Sequence, residues 1–156
     1  GRSRRYVHIT TPYLILDDTT LAALKFAAKR GGEVIIIMPH IPDKLYAYLL
    51  ARSYYAELLR AGVQIYEYTP GFIHAKMFTS DDEKAVVGTI NLDFRSLYLH
   101  FECASYFFRN AVVMDVEEDF QKTLAKSERI TLENCRKYPF IRRFAGKALR
   151  ILAPLM

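Results

Sequence analysis

Hydrophobic positions recur along the chain in alternating strand-like and helix-like stretches. Tyr6–Thr10 reads as a short strand closed by Pro12. Asp17, Asp18, Thr19 and Thr20 offer N-cap side chains for a helix over Leu21–Arg30, which Gly31-Gly32 stops. Val34–Met38 is a β-branched run ended by Pro39, as in a buried parallel strand. From Asp43 to Ala61 the apolar Leu45, Leu49, Leu50, Leu58 and Leu59 predict a second helix, with Gly62 as its stop. Val63, Ile65 and Tyr66 to Tyr68 predict another strand. This strand–helix–strand–helix–strand order is that of an α/β domain.

Beyond Tyr68 the pattern changes. Ile73–Thr79, a turn at Ser80–Glu83 and Lys84–Val87 predict a hairpin, and Glu102–Phe108 is a further strand candidate. Val112–Lys126 places Val112, Val113, Val116, Phe120 and Leu124 on one helical stripe. Pro139 opens a last helix, Phe140–Leu152, and Pro154 ends it. No repeat, low-complexity stretch or linker interrupts the chain before about residue 130.

The 156 residues suffice for one compact domain, and 51% apolar with 25% charged residues exclude a disordered or collagen-like chain. Two cysteines, Cys103 and Cys135, can neither build a disulfide framework nor fill a tetrahedral zinc site, so a reducing compartment is expected. The longest apolar run, Leu45–Ala51, falls far short of the ~20 residues of a membrane-spanning helix. The start lacks a signal-peptide pattern, and a first residue that is Gly1 rather than Met fits a piece of a longer chain.

The net charge of +5 is uneven. Arg2, Arg4 and Arg5 open the chain, and Arg136, Lys137, Arg142, Arg143, Lys147 and Arg150 close it with no acid among residues 136–156. Residues 6–135 hold 13 basic against 17 acidic residues, a net of −4. Basic ends on an acidic body suit an anionic partner, a lipid surface or nucleic acid; simple solvation of the termini explains them equally well.

The chemistry-bearing segment is Ile73–Glu102. On a strand, His74 and Lys76 project from one face, where an imidazole beside a cation makes a poor core. Alone, the pair reads as the solvent face of an edge strand. After Lys76 come four residues and Asp81, then six residues and Gly88-Thr89-Ile90-Asn91. This resembles the phospholipase D superfamily, whose motif is His-x-Lys-x4-Asp followed by Gly-[Ser/Thr]-x-Asn. The stretch Tyr66–Ser96 (YEYTPGFIHAKMFTSDDEKAVVGTINLDFRS) is similar to the C-terminal catalytic half of bacterial cardiolipin synthases. So are ITTPYLILDD near the start, LLRAGV at Leu58–Val63, LHFE at residues 99–102 and the closing LAPLM, so the resemblance covers essentially the whole chain.

The resemblance implies a phospholipase D-like single-motif domain, a mixed β-sheet flanked by helices on both faces. It implies phosphatidyl transfer between two phosphatidylglycerol molecules, giving cardiolipin and glycerol through a phosphohistidine intermediate. The residue types suit this chemistry. Neutral imidazole at His74, with a reference pKa of about 6.5, serves as nucleophile or general acid. Lys76 supplies fixed positive charge, and Asn91 and Thr89 supply donors, for the oxygens of the phosphoryl transition state. In the superfamily a carboxylate placed like Glu102 orients the histidine. Asp81 belongs to the motif, either as catalytic support or as a turn cap. Asp93, Arg95 and Ser96 are expected to shape the loop after Asn91 through an Asp–Arg contact, and that loop to line the substrate pocket.

No cofactor is called for, and no metal, because Lys76 and its counterpart in the other half would do the electrostatic work. The superfamily builds one pocket from two such motifs, and this chain has one. His8, His40 and His100 lack the lysine two residues on, and each is expected to be structural. The second half would come from the same longer chain or from a second copy. The alternative is a single-motif phosphodiesterase or nuclease acting as a homodimer, the only reading in which nucleic acid is substrate; a third is a docking module with an inert motif. The expected partners are phosphatidylglycerol and a membrane surface, at the cytoplasmic face of the cell membrane, with the fragment itself soluble.

Residues 1–130 are expected to form the catalytic half-domain and 131–156 a basic amphipathic tail helix. On Phe140–Leu152 the apolar Ile141, Phe144, Ala145, Ala148, Leu149 and Leu152 lie at helical spacing, with Arg143, Lys147 and Arg150 along another face. That stripe suits either packing on the domain body or lying in an anionic membrane surface.

Overall fold

The structure is a computed structural model that describes residues 3–153. The first half of the chain runs β1 (Tyr6–Thr10), α1 (Asp18–Lys29), β2 (Glu33–Pro39), α2 (Leu45–Arg60), β3 (Gln64–Tyr68). The second half runs β4 (Met77–Ser80), β5 (Lys84–Gly88), a π-helical turn Arg95–Leu99, β6 (Ala104–Phe108), α3 (Ala111–Leu124), β7 (Ser127–Ile130), α4 (Leu132–Lys137) and α5 (Phe140–Leu152). Among the described residues the strands form one mixed sheet in the order β6-β5-β4-β1-β2-β3-β7. β1, β2 and β3 are parallel; β4, β5 and β6 extend the sheet antiparallel from β1, and β7 closes it antiparallel to β3. β6 is therefore an open edge, with Tyr106 and Phe108 exposed.

Helices cover both faces, as the mixed α/β reading requires. α1 and α2 lie on one face, with α5 laid over α2, and α3 lies on the other. The uninterrupted apolar run of β2 follows from this sandwich. Val34, Ile36 and Met38 face α1 and α2, whereas Ile35 and Ile37 face Phe120 of α3. Each such side chain contributes on the order of 1.5–3 kcal/mol by leaving water. Local chemistry sets the helix ends. Asp17 caps α1 by accepting the Thr20 N–H (3.0 Å), and Asn110 caps α3 by accepting that of Val112 (2.8 Å). Gly31 and Gly62 take the left-handed backbone (φ +92° and +97°) that ends α1 and α2.

Two buried polar centres tie helices to the sheet. His8 is a structural core histidine, stacked between Tyr6 and Phe120 with Nδ1 2.8 Å from Glu117 of α3. Glu67 is fully buried and receives Arg52 (2.6 Å), His40 (3.0 Å) and the hydroxyls of Tyr55 (3.2 Å) and Tyr48 (3.3 Å).

Three elements differ from the sequence expectation. β4 begins at Met77, not Ile73, because β1 ends at Thr10 and its ladder with β4 stops at the Thr10–Met77 pair. β7 and α4 were not expected. β7 is a polar edge strand that buries only Ile130, and α4 is a single capped turn and a half, opened by a Thr131–Asn134 capping box. α5 runs as expected from Pro139, but Ile141 and Phe144 are exposed, and its docking side carries Gly146, Leu149 and Ala153. The stop expected at Pro154 and the basic Arg2 lie outside the described residues.

Candidate active site

The topology gathers the motif at one end of the sheet. The β1–β4 ladder ends at Thr10–Met77, and β5 and β6 meet at Gly88–Ala104. Consequently His74 and Lys76 (just before β4), Thr89 and Asn91 (just after β5), Glu102 (just before β6) and the Thr11–Leu16 loop all stand at the carboxyl end of the parallel strands. That end is where open α/β sheets bind ligands. The two loops are joined there: Ile15 N–H donates to Leu92 O (2.7 Å), and the Leu92 N–H reaches the Thr11 hydroxyl (3.4 Å).

His74 lies on an extended segment outside the ladder, exposed, with its ring against Phe72 (5.3 Å) and edge-on to Tyr13 (6.2 Å). Burial, and then the nearby Lys76 ammonium, hold the His74 pKa below its ordinary value, which favours the neutral ring. Lys76 donates from Nζ to the His74 carbonyl (2.8 Å), and its own carbonyl accepts the Gly88 N–H (3.2 Å), so the two motif segments are directly bonded. Burial also lowers the Lys76 pKa, against the opposing pull of Glu102, Asp43 and Asp93.

Gly88 is required by close approach. A Cβ there would stand 2.3 Å from the Cys103 carbonyl oxygen and 2.5 Å from Ala104 Cα. Next to it the Thr89 N–H donates to Cys103 O (2.9 Å), the Thr89 hydroxyl donates to Glu102, and the Cys103 N–H returns to Thr89 Oγ1 (3.0 Å). The Thr89 hydrogen bond is the main cause holding the Glu102 carboxyl below its usual range. Glu102 is thus bonded to Thr89 and not to His74, so the expected orienting hydrogen bond is not the one this arrangement makes. Asn91 donates from Nδ2 to Ser96 Oγ (3.2 Å), while its Oδ1 is buried with no partner among the described residues.

The loop after Asn91 departs from the expectation, and of the two readings of Asp81 the geometry fits the turn cap. The loop after Asn91 has no Asp93–Arg95 pair. Asp93 accepts the Ser96 N–H (2.6 Å) and so caps the π-helical turn, and Arg95 Nε–H donates to His100. Asp81 is not beside the motif cations. It sits beyond the other end of β4, about 16 Å along the chain from Lys76 at ~3.3 Å per residue. Its carboxylate accepts the N–H groups of Arg4 (2.7 Å), Arg5 (2.9 Å) and Tyr6 (2.9 Å) and the Ser3 hydroxyl (3.1 Å). Burial raises its pKa, but these donors outweigh burial and lower it to about 2. Asp81 and Asp82 both take left-handed backbone (φ 59°), a conformation that aspartate tolerates in tight turns.

Sequence reasoning missed Tyr13, Asp43 and Lys44. Tyr13 donates its hydroxyl to Asp43, and Lys44 lies 5.6 Å over the Tyr13 ring, so both charges act on His74. With Asp93, Arg95 and His100, Tyr13 and Lys44 line an open cleft of about 720 Å³; His74, Lys76, Thr89 and Asn91 are not in its lining, and the Tyr13 ring, 6.2 Å from that of His74, is what connects the two. The signal was available: Tyr13 follows a strand at its carboxyl end, where α/β sites form. Among the described residues no group of three or more His, Cys, Asp or Glu side chains is placed to hold a metal ion.

Residues 1–124 match the family described as "Cardiolipin synthase, PLD-like domain". A cardiolipin synthase of Alkalihalophilus pseudofirmus is 40% identical over 154 residues, 99% of this chain and 31% of that protein. An uncharacterized protein of Streptococcus mutans is 52% identical over 156 residues, 100% of this chain and 34% of its own length. The chain spans about a third of the length of these curated relatives. Among solved structures, phosphatidylserine synthase of Haemophilus influenzae superposes with a TM-score of 0.76 at 16% identity, over 99% of this chain and 42% of that one. The phospholipase D family member Nuc of Salmonella typhimurium gives 0.69 at 18% identity, over 83% of this chain and 84% of that one. At such identities these likenesses speak for the fold.

Proposed function

The chain belongs to the phospholipase D-like domain family of cardiolipin synthases, and from that membership we propose that it is one catalytic half of an enzyme joining two phosphatidylglycerol molecules into cardiolipin and glycerol. The observation that carries this reading is the convergence of His74, Lys76, Thr89 and Asn91 on one end of the sheet, with the main chains of the two motif segments hydrogen-bonded through Lys76 and Gly88. The second motif comes from elsewhere in the longer protein, as the relatives' greater length allows.

In the first step a neutral imidazole nitrogen attacks phosphorus. The P–O bond to the headgroup glycerol breaks, and glycerol leaves with a proton from the partner histidine. In the second step the hydroxyl oxygen of another phosphatidylglycerol attacks phosphorus and gives its proton to that same partner; the new P–O bond forms as the P–N bond breaks and frees the first histidine. The lowered pKa of His74 suits the nucleophile. Lys76 and the second Asn91 amide N–H stabilise negative charge on the nonbridging oxygens, while Thr89, whose hydroxyl proton is given to Glu102, positions the loop beside them. Glu102 acts by holding Thr89 and by its charge near Lys76. Asp81 is a positioning residue that fixes the far turn of the hairpin. The lipid substrate sets the reaction at a membrane surface, and two free thiols suit its cytoplasmic side.

The test is lipid product analysis with the intact longer enzyme carrying His74→Ala. Cardiolipin formation is expected to fall by at least ~10²–10⁴-fold. Near-parental turnover removes the assignment. Metal-independent cleavage of DNA by a homodimer of this chain would replace it with the nuclease reading.

A further inference from the structure

A second concave site lies between α2, α4 and α5 and shares no lining residue with the cleft that Tyr13 and Lys44 line. It is a cavity of about 340 Å³. Arg60, Arg136, Arg142, Arg143 and Lys147 line it, and none of them makes an ion pair with a described residue. Arg52 and Arg150 complete the wall but are already neutralised, by Glu67 (2.6 Å) and Glu57 (3.4 Å). Glu57 is the one carboxylate of the lining, and it is shared with Lys25 (2.7 Å). The Tyr138 hydroxyl is a further lining group, buried with no hydrogen-bond partner among the described residues. Five uncompensated cations and an unused hydroxyl around one small cavity are a donor set for a phosphate group.

The same helix that supplies three of those cations presents an apolar stripe. Phe140, Ile141, Phe144 and Ile151 of α5 are between 66 and 82% exposed. At 100° per residue they fall within about 100° of arc, and Lys147 and Arg143 occupy about the next 60°. α5 cannot roll to hide the stripe. A Cβ on Gly146 would stand 2.4 Å from Leu49 O, so the two helix backbones touch and fix which side of α5 faces out. A free phosphate would use the cavity and leave the stripe without purpose. A bilayer uses both, taking the stripe into its interface and offering headgroup phosphates to the adjoining cations.

We propose that the cavity between α2, α4 and α5 binds the headgroup phosphate of an anionic phospholipid while α5 lies in the membrane interface. Binding needs no turnover, so it stands or falls separately from the chemistry at His74.

The experiment is co-sedimentation of the chain with phosphatidylcholine vesicles, with and without phosphatidylglycerol, alongside calorimetric titration with inorganic phosphate. Vesicles containing phosphatidylglycerol are expected to bind and pure phosphatidylcholine vesicles are not. Each basic residue near an anionic surface is worth about fivefold in affinity, so the triple change Arg142→Ala, Arg143→Ala, Lys147→Ala should weaken binding about a hundredfold. Phe144→Ser with Ile151→Ser should also release the chain, and Lys122→Ala on α3 should not. Arg143 is exposed and makes no ion pair with a described residue, so the single reversal Arg143→Glu repeats the test with less risk to folding. Parental binding by the triple variant and by Arg143→Glu overturns the proposal. So does equal binding to both vesicle types, phosphate binding without vesicle binding, or self-association through the stripe in place of vesicle binding.

Discussion

Replacing Asp81 by Asn keeps the shape of the turn and removes the charge that holds residues 3–6 to it. Asparagine offers one acceptor oxygen where the carboxylate serves four donors, three of them backbone N–H groups. The carboxyl pKa falls from an ordinary 3.8 to about 2 in the fold. At full strength that displacement corresponds to about 2.4 kcal/mol, and solvent screening at this part-exposed turn reduces it to about 1–2 kcal/mol. Because the folded-state pKa is the lower one, the contribution is complete above pH ~4 and is lost as the pH falls toward ~2, with about half gone near pH 3. Urea denaturation of parent and Asp81→Asn, from pH 7 down to pH 2.5, should therefore show a gap of about 1–2 kcal/mol that closes on acidification. Cardiolipin formation by the folded variant of the intact enzyme should stay within about threefold of the parent, since Asp81 lies about 16 Å along the strand from Lys76. A variant with parental stability at pH 7, or one that is stable but inactive, refutes the reasoning and returns Asp81 to the catalytic group.

Other outcomes follow from the same geometry. Glu67→Gln leaves the Arg52 guanidinium, itself only 11% exposed, without its carboxylate; a loss of about 3 kcal/mol is expected in urea denaturation, partly recovered by adding Arg52→Leu. Gly88→Ala drives a methyl into the Cys103 carbonyl and should cost at least about 1–3 kcal/mol, seen as a lower melting temperature; an unchanged one contradicts the close approach of β5 and β6. The His74 ring, followed by NMR, should titrate below the ordinary 6.5 because of burial and Lys76, and Lys76→Met should move its midpoint up. A midpoint at or above 6.5 in the parent chain contradicts that electrostatic picture.

The alternating pattern made the central layers legible, because burial on one or both faces writes itself into sequence period. β2 announced its two-sided burial by an unbroken apolar run, and α3 its single stripe by Val113 and Phe120. β7 was invisible because a polar edge strand buries one residue and so has no period to read. Ile73–Lys76 alternated like a strand, yet β1 turns away after Thr10 and leaves that segment no ladder to join. α4 is readable in principle from Thr131 and Asn134, a capping box with too short a helix behind it to show a period. At the site, the motif's spacing singles out His74, Lys76, Thr89 and Asn91 as candidates but not which end of a strand each occupies. Four strand residues between Lys76 and Asp81 already place them at opposite ends, so the arithmetic that separates them was in the sequence. The bond from Glu102 to Thr89 depends on loop geometry that no spacing encodes.

The free rim at β6 has a practical corollary. A strand with unsatisfied main-chain groups and outward aromatic rings is a template for more strand, and neither lysine nor proline interrupts Ala104–Phe108. Concentrated solutions of the isolated chain should therefore drift toward ribbon-like growth from that rim. One lysine in place of Tyr106 would blunt it without touching either concave site.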